Sequence, residues 1–161
     1  MNPAPKAVSF LPKPLLSWIA EGRKEVRFPA VVAFADVSGF TLMTERLAGI
    51  GREGAETLTS ILNRYFTEMI DRIERVGGFV GKFGGDAMTI FFPATDAAQL
   101  PSVAKRAVAG AIELQKAMTD FREVQTKAGV FSLGMKIGIA GGEVLFRVVG
   151  NEQLGRQYLL A

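Results

Sequence analysis

FVGKFGGDAMTIFF, residues 79–92, contains two short apolar runs on either side of Gly84-Gly85-Asp86. Apolar runs of this length that flank glycines predict a β-hairpin, with the aspartate at or beside its turn. Upstream, residues 30–36 form another continuous apolar run that ends in Asp36. Such a run is typical of a buried central strand.

Helices are predicted around these strands. Residues 38–41 turn the chain into a short helix that runs to about Leu47. Residues 55–76 carry apolar side chains at i, i+3, i+4 and i+7 spacing and stop at Gly77-Gly78, which predicts a long amphipathic helix. Residues 102–123 predict a second long helix.

The C-terminal part of the chain is predicted to be β-structure. Residues 131–140 are interpreted as a strand, Gly141-Gly142 as a turn, residues 143–149 as a returning strand and residues 157–161 as the start of one more. The order β-α-α-β-β-α-β-β predicts a ferredoxin-like split βαβ palm of the α/β (α+β) class. A sheet on one side and two long helices on the other would form a sandwich.

Length and composition predict one soluble globular domain. The chain has 161 residues, of which 48% are hydrophobic and 22% charged. Residues 1–29 are expected to form an N-terminal strap with a short helix at Leu15–Ala20, and residues 30–161 to form the core domain. No run of 18 apolar residues and no signal peptide is present, so we expect a cytoplasmic location and no membrane span.

The missing residue types restrict the chemistry. Cysteine and histidine are both absent, which excludes disulfides, thiolate nucleophiles, imidazole bases and zinc sites built from these residues. The net charge of +3 is scattered along the chain, which argues against nucleic-acid binding. Metal-assisted phosphoryl or nucleotidyl transfer is among the few reaction classes that suit the remaining groups.

Asp36 and Asp86 are the candidate functional carboxylates. Each follows or borders an apolar strand and lies beside glycine, and the predicted fold brings the two to one edge of the sheet. Two adjacent carboxylates stay ionised only when a cation lies between them, and Mg²⁺ binds through one or two carboxylates with phosphates and water. The amides of residues 38–41, at a helix start, would suit phosphate oxygens. Either aspartate alone would more often be a helix cap or a turn residue.

Several motifs, in order and with fitting spacing, resemble the class III adenylyl/guanylyl cyclase catalytic domain. The resemblance extends over about residues 30–161 and is strongest to the first catalytic domain of the bicarbonate-regulated soluble adenylyl cyclases. The matching motifs are Asp36-Val37-Ser38-Gly39-Phe40-Thr41, Gly54-Ala55-Glu56, Ile61-Leu62-Asn63, Lys82-Phe83-Gly84-Gly85-Asp86 and Lys136-Ile137-Gly138-Ile139-Ala140-Gly141-Gly142.

The resemblance implies conversion of ATP to cyclic AMP and pyrophosphate by two-metal catalysis. Asp36 and Asp86 would hold two Mg²⁺ or Mn²⁺ ions, helped by the carbonyl of Val37. One ion would lower the pKa of the ribose 3′-hydroxyl, which attacks the α-phosphorus, and the other would bind the β- and γ-phosphates. The remaining phosphate-binding residues implied are Ser38, Gly39, Phe40, Thr41, Gly85 and Lys136. An ordinary solvent-facing lysine remains an alternative for Lys136.

The resemblance also implies a second cyclase domain, in trans or in tandem, as partner. Lys82 would recognise adenine in a homodimer or line a bicarbonate pocket in a two-domain cyclase, or it is a solvated lysine. Leu159 falls where the family carries an Asp or Thr that contacts the base, and it offers no hydrogen bond there. The family's transition-state Asn and Arg would come after residue 161, so the core is expected to be truncated and this chain alone inactive.

Three alternatives stay open at this stage. The substrate could be GTP. The domain could be a cyclase-homology module that regulates a larger protein by binding nucleotide or by pairing. It could also be a degenerate diguanylate cyclase, although Ala87 stands where that family usually has Glu.

Overall fold

The computed structural model describes residues 12–151, 153 and 155–161; the predicted strap's residues 1–11 lie outside this range. In chain order the main elements are α1 Lys13–Ala20, β1 Glu25–Ser38, α2 Phe40–Ala48, α3 Arg52–Arg75, β2 Phe79–Gly84, β3 Ala87–Pro93, α4 Leu100–Ala117, β4 Val124–Thr126, β5 Gly129–Phe131, β6 Gly134–Asn151 and β7 Gly155–Leu160. Short 3₁₀ turns precede and follow α4, at Ala97–Gln99 and Met118–Phe121.

A five-stranded antiparallel sheet in the order β2-β3-β1-β6-β7 organises the domain. β1 is the central strand, and it pairs with β3 from Ala30 to Ala35 and with β6 from Glu25 to Ser38. β4 and β5 form a separate small hairpin. The predicted mixed α+β sandwich is therefore confirmed, as is the position of β1 beside the β2–β3 hairpin.

The two faces of β1 pack into different apolar clusters. Val31, Ala33 and Ala35 are buried in the main core together with the apolar stripes of α3 and α4. Phe28 and Ala30 alternate with them and point to the opposite face, where Leu15 of α1 completes a second cluster. α1 therefore covers one end of the second face.

The sheet is curled, so that its two edge strands meet. The Tyr158 hydroxyl on β7 donates a hydrogen bond to the Gly81 carbonyl on β2, at 2.9 Å. Gly81 lies where the β2–β3 register shifts, between Val80 and Lys82. Because β2 and β7 are at opposite ends of the strand order, this contact closes the sheet around the second cluster.

The predicted turn at Gly141-Gly142 is wrong. β6 runs without interruption from Gly134 to Asn151, and the two glycines pair with Val31 and Ala30 of β1. Neither glycine has a positive φ, so both adopt strand geometry. The continuous ladder to β1 satisfies their backbone groups, which a turn at this point would leave unpaired.

Two other sequence boundaries are also corrected. The predicted strand of residues 131–140 is divided, because Phe131 ends β5 whereas β6 begins at Gly134. The second long helix ends at Ala117 and gives way to a 3₁₀ turn. Within the described part of the chain, no helix combines the length and apolar character needed to cross a membrane.

Candidate active site at the aspartate end of the sheet

Asp36 and Asp86 lie at the same end of neighbouring strands. Asp36 is near the C-terminal end of β1, and Asp86 lies in the turn that joins β2 to β3. Ala35 is the last residue of β1 that pairs with β3, opposite Met88, so Asp36 and the turn that holds Asp86 lie at the same end of these two strands. Antiparallel pairing thus brings together two aspartates that are 50 residues apart in sequence.

The charges of both carboxylates affect the pKa of Tyr65. Tyr65 lies on α3, is 3% exposed, and its hydroxyl has no hydrogen-bond partner within the described part of the chain. Burial raises the pKa of Tyr65, and the negative charges of Asp86 and Asp36 raise it further. Both carboxylates therefore contribute to the electrostatic environment of this buried phenol.

The donor set at this end of the sheet fits a hard divalent cation. Asp36 is exposed and Asp86 is half-buried, and neither forms an ion pair or hydrogen bond with another described residue. The described residues contain no cluster of three or more Asp, Glu, His or Cys side chains. An ion here would therefore take two carboxylates and complete its shell with carbonyl, phosphate or water oxygens, as Mg²⁺ and Mn²⁺ do.

An uncapped helix start lies beside Asp36. α2 begins at Phe40 with Gly39 as its N-cap residue, and no described side chain caps its free amides. The amides of Phe40, Thr41 and Leu42 therefore lack intrahelical acceptors and can bind an anion.

The segment before β6 packs closely against the turn before α2. Gly39 has a φ of 88°, and a Cβ at this position would lie 2.4 Å from the Ser132 carbonyl oxygen. A Cβ on Gly134 would lie 2.7 Å from Ser38 Oγ. The segment that leads into β6 therefore fixes the position of the uncapped amides relative to Asp36.

Lys136 faces the same side of the sheet as Asp36. The two residues are direct partners in the β1–β6 ladder, and residues that oppose each other across a ladder point to one face. Lys136 is exposed and forms no ion pair with a described residue. Its ammonium group is therefore not occupied by a described carboxylate and lies on the Asp36 side of the sheet.

The other two predicted pocket residues point in different directions. Lys82 pairs with Thr89, which in turn pairs with Phe34 of β1, so Lys82 shares the face of Asp36. Leu159 alternates with Tyr158 along β7 and therefore points away from the side on which Tyr158 reaches Gly81. Gly85 lies in the aspartate turn, with a φ of 69° and open space around its Cα.

Two residues of this region were missed in the sequence. The apolar stripe of residues 55–76 predicts only a core position for Tyr65, and nothing in the sequence indicates an unpartnered hydroxyl. The apolar run of residues 30–36 predicts a buried strand, but Phe34 is 52% exposed, on the face of Asp36. A continuous apolar run cannot show which of its residues lies beyond the cover provided by α1.

The model for the adenylate and guanylate cyclase catalytic domain matches residues 25–158. The chain belongs to this family. The family expectation from the motifs is thereby confirmed, and the cyclase fold accounts for the curled antiparallel sheet.

Curated relatives of this cyclase domain include adenylate cyclases. Adenylate cyclase type 10 of Rattus norvegicus is 32% identical over 135 residues, which is 83% of this chain and 8% of the relative. The terminal-differentiation-specific adenylate cyclase of Dictyostelium discoideum is 29% identical over 121 residues, or 75% of this chain and 5% of the relative. The domain thus spans less than a tenth of the length of these relatives.

Solved structures similar to this cyclase domain include both nucleotide specificities. The guanylyl cyclase Cya2 has a TM-score of 0.67 and 33% identity, covering 86% of this chain and 66% of that one. The adenylyl cyclase CyaB from P. aeruginosa has a TM-score of 0.67 and 28% identity, covering 85% and 67%.

Proposed function

We propose that this cyclase domain converts ATP to cyclic AMP and pyrophosphate at a site that contains Asp36 and Asp86 and is completed by a second cyclase domain. The observation that supports this proposal most is that Asp36 and Asp86, two carboxylates without an ion-pair partner among the described residues, lie beside the uncapped start of α2. We propose ATP as the substrate, and not GTP, because several curated relatives are named adenylate cyclases. The family's use of divalent ions suits the all-oxygen donor set.

Asp36 and Asp86 would hold two Mg²⁺ or Mn²⁺ ions, with the Val37 carbonyl as a further ligand. When bound, the ions supply Lewis-acid activation of the ribose 3′-hydroxyl and neutralise phosphate charge. The aspartates contribute by fixing where that charge lies. β1 and the β2–β3 turn meet in one sheet, so the distance between the carboxylates is set by the ladder and not by a loop alone.

The start of α2 would bind the phosphate chain. The free backbone amides of Phe40 and Thr41 would donate hydrogen bonds to phosphate oxygens without needing a side chain, and the helix dipole favours the negative charge. Gly85, in the aspartate turn, leaves room for phosphate to approach the backbone. Lys136 would bind the terminal phosphates from the β6 side. Together these groups orient the α-phosphorus toward the 3′-hydroxyl, which is the positional part of catalysis.

The second domain would cover the aspartate end of the second face, beyond α1. Phe34 is an exposed aromatic residue of the central strand at that end, and Lys82 lies on the same side. Lys82 would then contact the base, or line a bicarbonate pocket. Large exposed aromatic residues are typical of residues that become buried on association.

A regulatory nucleotide-binding module is the second candidate. The observation that favours it is Leu159, which offers no hydrogen bond to a base and points away from the Lys82 side of the curled sheet. Such a module would bind triphosphate and metal without turnover.

Product formation distinguishes the two candidates. The chain is incubated with Mn²⁺ and either ATP or GTP, and the cyclic nucleotide is quantified. The incubation is done with the chain alone and with the chain mixed with a second cyclase domain, which comes from a known active cyclase and has had its own metal-binding aspartates replaced. Catalysis by these residues predicts cyclic AMP in the mixture, lost in Asp36→Asn and Asp86→Asn and retained in Asp120→Asn, an exposed aspartate outside the site. Product that persists in Asp36→Asn would refute the proposal, and cyclic GMP alone would correct the substrate.

A further inference from the structure

The hydroxyl of Tyr65 is a buried polar group without a partner. The hydroxyl oxygen is inaccessible to solvent, and it forms no hydrogen bond with any described group. Buried hydroxyls in folded proteins nearly always have a partner, so an exception calls for an explanation. The hydroxyl therefore points to an interaction that is absent from the described contacts.

Aromatic contacts hold the ring of Tyr65 in place. Its centroid lies 5.1 Å from that of Phe66 and 5.6 Å from that of Phe121, both edge-on. Phe66 in turn lies edge-on to Phe83 of β2, at 5.1 Å. Phe83 is three residues before Asp86, so this row of rings connects α3 directly to the aspartate turn.

Asp86 has more freedom to adjust than the tyrosine. It lies in a turn preceded by Gly84 and Gly85, neither of which has any heavy atom within 4 Å of the site of a Cβ. Its side chain is half-buried, whereas that of Asp36 is exposed on the central strand. Asp86 is thus the more buried carboxylate of the pair, and its charge raises the pKa of Tyr65 more than that of Asp36 does.

We propose that Tyr65 is a positioning residue for the metal site, whose hydroxyl donates a hydrogen bond to one carboxylate oxygen of Asp86 when the other oxygen binds a divalent ion. This inference rests on the proposed function of Asp86. A neutral phenol can donate one hydrogen bond to a carboxylate. Partners of this kind orient metal-binding side chains, and their loss typically weakens metal affinity by about 10- to 100-fold.

The first test is the affinity for Mn²⁺ in the presence of a non-hydrolysable ATP analogue, measured by calorimetry on the whole chain. We expect Tyr65→Phe to bind Mn²⁺ about tenfold more weakly than the parent. The matched control is Tyr158→Phe, which removes the chain's other phenol hydroxyl, one that bonds Gly81 and not an aspartate. It should keep the parent's affinity. Thermal unfolding without metal checks that both variants are folded.

The second readout follows the phenol itself. The chain contains two tyrosines, so 3-fluorotyrosine labelling gives two ¹⁹F resonances, and each single variant assigns one of them. Addition of Mg²⁺ with the analogue should shift the Tyr65 resonance because its hydroxyl gains an acceptor.

The outcomes separate this inference from the function on which it rests. Equal Mn²⁺ affinity in the parent and Tyr65→Phe, or a Tyr65 resonance that does not move while metal and analogue bind, would overturn the positioning role alone. Absence of Mn²⁺ binding by the parent would overturn both the positioning role and the proposed metal site.

Discussion

Replacing Gly39 with alanine should destabilise the domain by much more than an ordinary glycine substitution. Gly39 has a φ of 88°, in the left-handed region, where a side chain costs about 1–2 kcal/mol. In addition, the new Cβ would lie 2.4 Å from the Ser132 carbonyl oxygen, so either α2 or the segment before β6 must move. Overpacking of this kind typically costs about 1–3 kcal/mol.

The two costs together predict a loss of about 2–5 kcal/mol in the free energy of unfolding. For a chain of this length, each kcal/mol lowers the melting temperature by about 2–4 °C. Urea unfolding followed by circular dichroism measures the free energy directly, and a thermal scan provides the second estimate.

Gly22→Ala is the matched control. Gly22 also has a positive φ, of 73°, but nothing lies within 4 Å of the site of its Cβ. It should therefore show only the left-handed cost of about 1–2 kcal/mol. If Gly39→Ala is no more destabilising than Gly22→Ala, Ser132 does not hold the turn before α2 in place, and the amides at the start of α2 are not fixed in the way described above.

Three further predictions concern packing and pH. Gly54→Ala should lower stability by about 1–3 kcal/mol in urea unfolding despite the better helix propensity of alanine, because its Cβ would lie 1.8 Å from the Leu47 carbonyl oxygen; unchanged stability would contradict the close approach of α2 and α3. Tyr158→Phe should cost about 1 kcal/mol by the same assay, through loss of the hydrogen bond to Gly81, and no loss would show that this bond does not help to close the sheet. Without added metal, the pKa of Tyr65 is higher in the folded chain than the value of about 10 expected in the unfolded chain. The stabilisation of the folded chain by the neutral phenol is therefore complete below a pH of about 10 and is lost as the pH rises from there toward the folded pKa. Tyr65→Phe should remove that part of the alkaline loss in melting temperatures measured between about pH 8 and 11, and identical pH profiles would contradict it.

The strands and helices that depend on local pattern were predictable. The apolar run before Asp36 and the two apolar runs around Asp86 form strands because the sheet buries most of their side chains. The split βαβ order then makes the two strands neighbours, since few other arrangements connect them without crossing. The sequence is therefore sufficient to predict that Asp36 and Asp86 lie at the same end of neighbouring strands.

Gly141 and Gly142 show where local pattern fails. A glycine pair usually marks a turn, but here each lies in an extended ladder opposite β1. The fourteen-residue register between β1 and β6 outweighs the local turn preference. That register is a long-range property which a single sequence does not display.

Side-chain direction at the site was the least predictable feature. Phe34 and Ala35 are both apolar, yet Ala35 is buried under the helices and Phe34 is exposed. The difference depends on how far α1 extends over the second face. The unpartnered hydroxyl of Tyr65 likewise depends on packing between α3 and the aspartate turn, which no residue pattern records.

Calorimetric titration of the chain with a non-hydrolysable ATP analogue, with and without Mn²⁺, tests directly whether Asp36 and Asp86 hold a metal–nucleotide complex. We expect binding that requires the metal and is lost in both Asp36→Asn and Asp86→Asn, while Asp120→Asn binds like the parent. Metal-dependent binding that is equally strong in the parent and in Asp36→Asn, or no binding by the parent even when a second cyclase domain is added, would contradict the claim that these two aspartates hold a metal–nucleotide complex.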